Sequence, residues 1–377
     1  MKKRDNYSMN SEKDKLSRTF DYITYILNYI YKDISSTSKD ILTEVHYRFF
    51  RYNHNPNKKI LGYWDFNQRL SRFGDFMTFL EYLSMLSYEF KLNPGRNIDL
   101  CFIDDDTHYN KSQPRFNKTY LFKKNLKKLW ITNPNIDSVF SFKSNAEFEK
   151  FYSQNKDRYI RWPPTVSGTV VADCRVIDNF HKNNGFIPHL DLPKEILAEV
   201  YSFYESNIYP ALPIVLNVRK NSWDASRNSD SSHIYNFIKH YEQNKRYKFI
   251  IICNKEEISE EFRLLKNVIF SKDYSSDVEF DLGLIKISYL SIFPSSGMAC
   301  FAWFSKTPFI QYGNHGYQEK FTATPKGKSF SFLSVSQKIY HEPETTEKLI
   351  SWFESMVGYL ESNKINNNEL NKIQASK

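Results

Sequence analysis

The residues with the clearest chemical potential form a short turn, Ser295-Ser296-Gly297, between an apolar strand predicted from Ile285 to Phe293 and a short predicted helix. The start of a helix offers unpaired backbone N–H groups and the positive end of the helix dipole, and phosphate groups commonly bind there. The two serine hydroxyl groups add donors. A serine before a helix is also typical of an ordinary N-cap. The position between two apolar strands favours an anion-binding turn.

A second group of polar residues follows the apolar strand predicted over residues 213–218. Arg219, Lys220 and Arg227 lie in a long polar loop that leads to the next predicted helix. Cations at the carboxyl end of a strand can hold a diphosphate and neutralise a leaving group. A solvated basic loop is the alternative interpretation. This loop and the Ser-Ser-Gly turn belong to the same predicted domain. We therefore expect the three cations to bind the phosphate group that the turn binds.

A third group, Arg69, Arg72 and Asp75, lies at the start of a helix predicted over residues 75–88. An aspartate in the first turn of a helix is favourable on its own, because it interacts with the helix dipole. The functional interpretation is a general base at the mouth of the N-terminal domain. Arg69 and Arg72 would then orient Asp75 or bind an anionic acceptor.

The acidic run Asp104-Asp105-Asp106, with His108 close behind it, follows a strand predicted over residues 98–103. Consecutive carboxylates after a strand can bind a divalent cation. Acidic loops are more often simply solvated. We therefore expect no metal site.

The elements that must position these residues alternate between strand and helix. A strand over residues 60–66, the helix over 75–88 and the strand over 98–103 form a β-α-β unit, which implies parallel pairing. A second series begins after Tyr209-Pro210, with strands at 213–218, 247–253, 268–270, 285–293 and 307–311 and a helix at 231–243. Two such series predict two Rossmann-like domains that face each other across a cleft. Ligands in these folds bind outside the carboxyl ends of the strands.

A length of 377 residues favours more than one hydrophobic core. We predict a leader and amphipathic helix over residues 1–38, an N-terminal Rossmann-like domain over 39–208 and a C-terminal Rossmann-like domain over 209–340. A C-terminal helix over 341–362 and a flexible tail over 363–377 complete the chain. The stretch from Trp162 to Gly185 is predicted to hold loops and short strands.

Composition narrows the class of protein further. The net charge of +9 permits nucleic-acid binding, but the lysines and arginines are spread along the chain without an Arg-rich helix or an aromatic RNA-binding motif. No apolar run is long enough to span a membrane. The four cysteines show neither CxxC nor Cys/His spacing, which predicts a cytoplasmic protein without structural zinc. Peripheral contact with the inner face of the plasma membrane stays open.

Taken together, these motifs resemble those of GT-B glycosyltransferases, nearest to the heptosyltransferase-like enzymes and related transferases of bacterial surface polysaccharides. The resemblance covers residues 59–103 and 213–313. The Gly-Asp turn of that family is matched by Gly74-Asp75, and its Asp-Thr-Gly turn by Ser295-Ser296-Gly297. The matches that follow the turn are Ala302, Ser305-Lys306-Thr307-Pro308 and Gly313, and the loop with Val218-Arg219 and Arg227-Asn228-Ser229 is also similar.

This chain departs from the family pattern at three positions. Ser295 replaces the aspartate, Cys300 stands where heptosyltransferases carry a histidine, and Thr307 separates Lys306 from Pro308. A sugar or nucleotide other than that of heptosyltransferases is therefore expected, and sugars activated by cytidine monophosphate are an open donor class.

The resemblance implies a metal-independent transferase without a bound cofactor, with the nucleotide-sugar as co-substrate and a glycan or lipid-linked glycan as acceptor. It also implies that residues 39–208 form the acceptor domain and residues 209–340 the nucleotide-sugar domain. Asp75 would then deprotonate the acceptor, while Arg219, Lys220 and the Ser295-Ser296-Gly297 turn hold the donor phosphate. Two alternatives stay open. One is a basic α/β protein that binds nucleic acid or has no catalytic activity. The other is an enzyme that transfers sulfate or phosphate to a glycan.

Overall fold

The computed structural model describes residues 55–66, 72–104, 119–163, 174–220, 227–254, 257, 259–313 and 327–363. Nearly all of them belong to one compact unit, Asn57–Tyr88 with Leu92–Lys377. The second unit, Met1–Pro56 with Glu89–Lys91, lies almost entirely outside the described residues. The predicted leader helix, Arg69 and the tail from residue 364 lie outside them as well.

The first part of the chain forms a four-stranded parallel sheet with the strand order β3-β2-β1-β4. Its strands β1 and β2 are almost wholly buried, as expected for a parallel sheet that is covered on both faces. The strands are β1 (Lys59–Asp65), β2 (Ile98–Ile103), β3 (Ile136–Phe142) and β4 (Tyr159–Trp162), and the helices between them are α1 (Phe73–Glu89), α2 (Thr119–Lys128) and α3 (Asn145–Gln154).

The second part forms a six-stranded parallel sheet with the order β10-β9-β8-β5-β6-β7. Its strands are β5 (Leu212–Asn217), β6 (Tyr247–Ile252), β7 (Val268–Phe270), β8 (Leu290–Pro294), β9 (Phe309–Tyr312) and β10 (Gln337–Ile339). The remaining helices are α4 (Cys174–Asn184), α5 (Lys194–Asn207), α6 (Ser231–His240), α7 (Val278–Ile287), α8 (Ala299–Phe304) and α9 (Thr346–Ser362). Two parallel sheets with connecting helices confirm the predicted pair of Rossmann-like domains. The predicted domain boundaries stay a prediction.

Two sequence-based element assignments are wrong. The stretch from Ile285 to Phe293 is not one strand, because Ile285 and Ile287 belong to the end of α7 and β8 begins only at Leu290. A continuous apolar run does not distinguish a buried helix from a buried strand. The second assignment concerns residues 174–184, which form α4 instead of a loop. Only Ile177 and Phe180 of this polar helix are buried, so its apolar face is too narrow to stand out in the sequence.

A short segment at residues 189–191 connects elements from both parts of the chain. The N–H group of Leu190 donates to the carbonyl oxygen of Phe304 at the end of α8 (3.1 Å), and that of Asp191 donates to Thr132 after α2 (2.8 Å). The Lys286 ammonium at the end of α7 lies 2.8 Å from the Asp191 carboxylate. These bonds fix α8 against the part of the chain that carries the first sheet.

Glu81, in the middle of α1, is completely buried, and neither of its carboxyl oxygens has a hydrogen-bond partner among the described residues. Burial raises the pKa of Glu81 well above its ordinary value. The folded protein therefore keeps this proton to a higher pH than the unfolded chain does. Stability must fall as the pH rises from the pKa of the unfolded chain, about 4.3, towards the pKa in the folded protein.

We expect Glu81→Gln to remove this pH-dependent loss of stability. Relative to the wild type, the free energy of unfolding should rise between pH 5 and pH 8, by about 1.4 kcal/mol for each pH unit between the two pKa values. Urea denaturation at both pH values measures it. Glu199→Gln, at an exposed position of α5, is the matched control. An identical pH dependence in Glu81→Gln and the wild type would contradict the prediction.

Candidate active site

The Ser-Ser-Gly turn lies at the carboxyl edge of the second sheet, as predicted. It follows β8, which pairs with β5, and it leads into α8, whose six residues are all buried. The Ser295 residue is 3% exposed. The Ser296 hydroxyl is buried and has no hydrogen-bond partner among the residues that the structure describes. The turn is therefore buried, and the Ser296 hydroxyl group makes no hydrogen bond to the described residues.

Arg227 connects the loop after β5 to this turn. Its guanidinium donates to the carbonyl oxygen of Ser295 from Nε (3.1 Å) and from Nη2 (2.5 Å). Arg219 is also fixed within the loop, because its backbone N–H donates to Ser229 Oγ (3.1 Å) and its carbonyl accepts from the Ser229 N–H (2.9 Å). Lys220, next to it, is exposed. The structure thus brings Arg227 of the predicted cationic loop to the turn.

We expect Arg227→Met to destabilise the fold, because the carbonyl group of Ser295 loses a charged donor. The expected loss is about 1.5–3 kcal/mol in the free energy of unfolding, measured by urea denaturation. Arg246→Met is the matched control, because the Arg246 guanidinium pairs with Glu361 on the surface. An exposed pair of this kind contributes about 0–1 kcal/mol. Equal losses in the two variants would contradict the role of Arg227 in holding the turn.

The Ser-Ser-Gly turn also contacts the first turn of α1, which carries Asp75. A Cβ atom added to Gly297 would lie 2.7 Å from the backbone nitrogen of Gly74 and 2.9 Å from Phe73 Cβ. A Cβ atom added to Gly74 would lie 3.3 Å from the Gly297 Cα. The two turns that the sequence assigns to opposite domains therefore meet through glycine backbones.

Of the three residues predicted on the acceptor side, the structure describes Asp75 and Arg72. Asp75 is half-buried in the first turn of α1, where the helix dipole favours a negative charge. Arg72, just before the helix, is exposed, and its carbonyl oxygen accepts from the N–H of Phe76 (3.1 Å). Arg69 lies outside the described residues.

Sequence reasoning missed Glu257, in the loop after β6. Its carboxylate accepts from the backbone N–H (3.0 Å) and the side-chain amide (3.2 Å) of Asn254, and from the backbone of Lys220. Burial raises the pKa of Glu257, although these bonds and the nearby Arg219 oppose the rise. In the sequence it belongs to a polar stretch that is typical of a solvated loop. One signal in the sequence could have indicated it: Glu257 lies in the loop that follows a predicted strand, β6. Because β6 pairs with β5 in parallel, the loops after these two strands lie side by side.

Of the acidic run, the structure describes only Asp104. Its two carboxylate oxygens accept from Lys123 (2.5 Å) and Lys127 (2.7 Å) of α2. Burial raises the pKa of Asp104, but these two bonds outweigh burial and lower it overall. Asp105, Asp106 and His108 lie outside the described residues, and the described residues contain no cluster of three or more side chains suited to a metal.

Ion pairs with carboxylates compensate much of the positive charge of α2. Besides Lys123 and Lys127, Lys128 of α2 pairs with Asp277 (2.6 Å) and Glu279 (3.2 Å) at the start of α7. Three of the four lysines of this helix therefore face carboxylates.

Within the described part of the chain, the structure has no helix that is long and apolar enough to cross a bilayer.

No protein-family model matches the chain, and no curated protein matches it significantly in sequence. Among solved structures, E. coli ADP-heptose lps heptosyltransferase II is similar over 80% of this chain and 99% of its own, with 9% identity and a TM-score of 0.50. The glycosyl transferase family 9 protein from Veillonella parvula DSM 2008 is similar over 79% of this chain and 97% of its own, with 12% identity and a TM-score of 0.49. The chain therefore has the two-domain α/β fold of E. coli ADP-heptose lps heptosyltransferase II, the GT-B type that its motifs predict.

Proposed function

We propose that this chain is a glycosyltransferase that moves a sugar from a nucleotide-sugar donor to a glycan or lipid-linked acceptor in bacterial surface polysaccharide biosynthesis. The observation that carries the proposal is the contact between two turns. The Ser295-Ser296-Gly297 turn, bound by Arg227, lies against the first turn of α1, which carries Asp75. The turn proposed to bind the donor phosphate and a carboxylate are thus neighbours at the edge of a parallel sheet.

On the donor side, the leaving group of the reaction is a nucleotide phosphate, whose negative charge grows as the bond to the sugar breaks. Fixed N–H groups and cations that face this charge lower the barrier. In our proposal the Ser295-Ser296-Gly297 turn and the cationic residues Arg219 and Lys220 supply them. Arg227 contributes charge close by and fixes the turn through the Ser295 carbonyl group.

On the acceptor side, a sugar hydroxyl must lose its proton as it attacks the anomeric carbon. Asp75 is the proposed base, and Arg72 and Arg69 would bind an anionic group of the acceptor.

We propose that the reaction needs no metal, because the cationic loop after β5 can neutralise the leaving phosphate. The ion pairs of Asp104 with Lys123 and Lys127 support this proposal, since they engage both oxygens of the first carboxylate in the acidic run.

Thermal-shift measurements on the full chain test the donor class. ADP-, GDP-, UDP- and CMP-sugars are added separately, each with and without EDTA. A bound donor at a hundred times its Kd should stabilise the protein by about 2.7 kcal/mol, and EDTA should leave the shift unchanged. Lys220→Met should reduce the shift without lowering the melting temperature of the free protein, because the Lys220 side chain is exposed.

Two results would contradict the proposal. One is the absence of a shift with every nucleotide and nucleotide-sugar. The other is tight binding of RNA or DNA that weakens steeply with salt while no nucleotide-sugar binds, which would favour a nucleic-acid-binding protein.

A further inference from the structure

Two cysteines that are 126 positions apart contact the same turn of α1. The Sγ atom of Cys174, the first residue of α4, lies 3.7 Å from the hydroxyl oxygen of Thr78. The thiol of Cys300, in α8, also contacts the Thr78 side chain. It lies directly under Gly74 as well, since a Cβ atom added there would be 3.1 Å from Cys300 Sγ. One small side chain therefore contacts both thiols.

The other two cysteines have different surroundings. Cys101 lies in the middle of β2, and Cys253 directly follows β6, where it packs in the core of the second sheet. Burial raises the pKa of these two thiols, and that of Cys300 as well, and keeps all three protonated. Cys174 differs because it is only partly buried, whereas Cys300 is buried like Cys253. An oxidant in solution can therefore reach Cys174 first, with a second sulfur close behind it.

We propose that Cys174 and Cys300 form a reversible disulfide when the protein meets a peroxide. The Cys174 sulfur attacks one peroxide oxygen, the O–O bond breaks, and a sulfenic acid and water result. The Cys300 sulfur then attacks the Cys174 sulfur, an S–S bond forms, and the hydroxyl group leaves as a second water with the proton from Cys300. Two thiols and one peroxide thus give one disulfide and two waters. Thr78 must turn its hydroxyl group aside, because a disulfide brings the two sulfur atoms to about 2 Å.

The consequence follows from where the two cysteines lie. A disulfide would join α4 to α8 beside the contact between Gly74 and Gly297. The carboxyl edge of the second sheet would then be tied covalently to α4, which contacts α1 at Thr78. A transient disulfide in a reducing compartment is typical of redox sensing. The cross-link itself is independent of the proposed glycosyl transfer, whereas its effect on turnover rests on that function.

Peptide mapping of the native full chain tests the proposal. The protein is treated with hydrogen peroxide, its remaining thiols are alkylated, and its digest is analysed by mass spectrometry. The expected product is a peptide pair linked through Cys174 and Cys300 that disappears on addition of dithiothreitol. Cys174→Ser and Cys300→Ser should both lose this product, and the Cys253→Ser control should keep it. Since Cys174 is partly exposed, its serine variant is informative even if Cys300→Ser does not fold.

A second measurement separates the cross-link from the proposed function. The melting temperature should rise on oxidation and fall back with dithiothreitol, because a cross-link restricts the unfolded chain. This rise does not depend on any substrate. Oxidation of Cys174 to a sulfinic acid while Cys300 stays a thiol would overturn the proposal, and so would two unmodified thiols. A linked peptide pair without any change in sugar transfer would leave the disulfide in place and count against Asp75 and the Ser-Ser-Gly turn as the active site.

Discussion

Asp75→Asn is expected to lose most of its sugar-transfer activity, by a factor of about 10²–10⁴, because general-base catalysis contributes that much to the rate. Asparagine has the same shape as aspartate but takes up no proton from the acceptor hydroxyl. The donor should bind as before, since the phosphate groups are proposed to lie on the turn and the cationic loop. The measurement is the initial rate of nucleotide release with donor and acceptor present, together with the thermal shift that the donor causes.

Asp157→Asn is the matched control, because this aspartate is exposed in the loop before β4. Its rate and its thermal shift should equal those of the wild type. Full turnover by Asp75→Asn would remove the base from the proposed mechanism and leave the fold unaffected. Loss of the donor-induced shift in Asp75→Asn would instead place Asp75 in donor binding. The two readouts therefore distinguish a proton acceptor from a binding residue.

The sequence predicts the fold well where local pattern is decisive. The strands β1, β2, β5 and β6 are runs of apolar residues bounded by polar loops, and they lie within a residue or so of the predicted bounds. The pattern fails at α7 and β8 because the last turn of α7 is mostly apolar and only two residues separate it from β8. The acidic residues Glu279 and Asp281 in the first turn of α7 were the usable sign of a helix start.

The candidate site is predictable to a lesser degree. The rule that ligands lie at the carboxyl ends of parallel strands correctly brings Arg227 to the Ser-Ser-Gly turn. It does not say that the Arg227 guanidinium binds a backbone carbonyl there. The contact between Gly297 and Gly74 was beyond sequence reasoning, because it depends on how two sheets pack against each other. Glu257 was missed because its burial, which raises its pKa, arises only when the loops after β5 and β6 come together.

The contact between glycines makes Gly297→Ala the most informative backbone change in this chain. The added Cβ atom would lie 2.7 Å from the Gly74 nitrogen and 2.9 Å from Phe73 Cβ, distances at which one partner must move. Neither neighbour is the flexible end of a side chain. Moreover, the backbone of Gly297 is not in the left-handed region, so an alanine there is hindered by its neighbours alone. We expect the Ser-Ser-Gly turn and α1 to separate by a fraction of an ångström to an ångström.

Such a displacement has two expected effects. The free energy of unfolding should fall by about 1–3 kcal/mol, the usual cost of an added methyl group in a packed site. Sugar transfer should fall by about 10²-fold, because misplacement of reacting groups by an ångström has that effect on rate. Gly74→Ala should be milder, since its Cβ atom would lie 3.1 Å from Cys300 Sγ and 3.3 Å from the Gly297 Cα. Urea denaturation and initial rates measure both variants.

Gly358→Ala provides the matched control. Gly358 lies within α9, and a Cβ atom added there meets nothing within 4 Å. Alanine should therefore stabilise the helix by about 0.5–1 kcal/mol and leave sugar transfer unchanged. A Gly297→Ala protein that behaves like Gly358→Ala would mean that the two turns do not need to touch during the reaction. If Gly297→Ala loses transfer but keeps the stability of the wild type, the contact serves the reaction and contributes little to the fold.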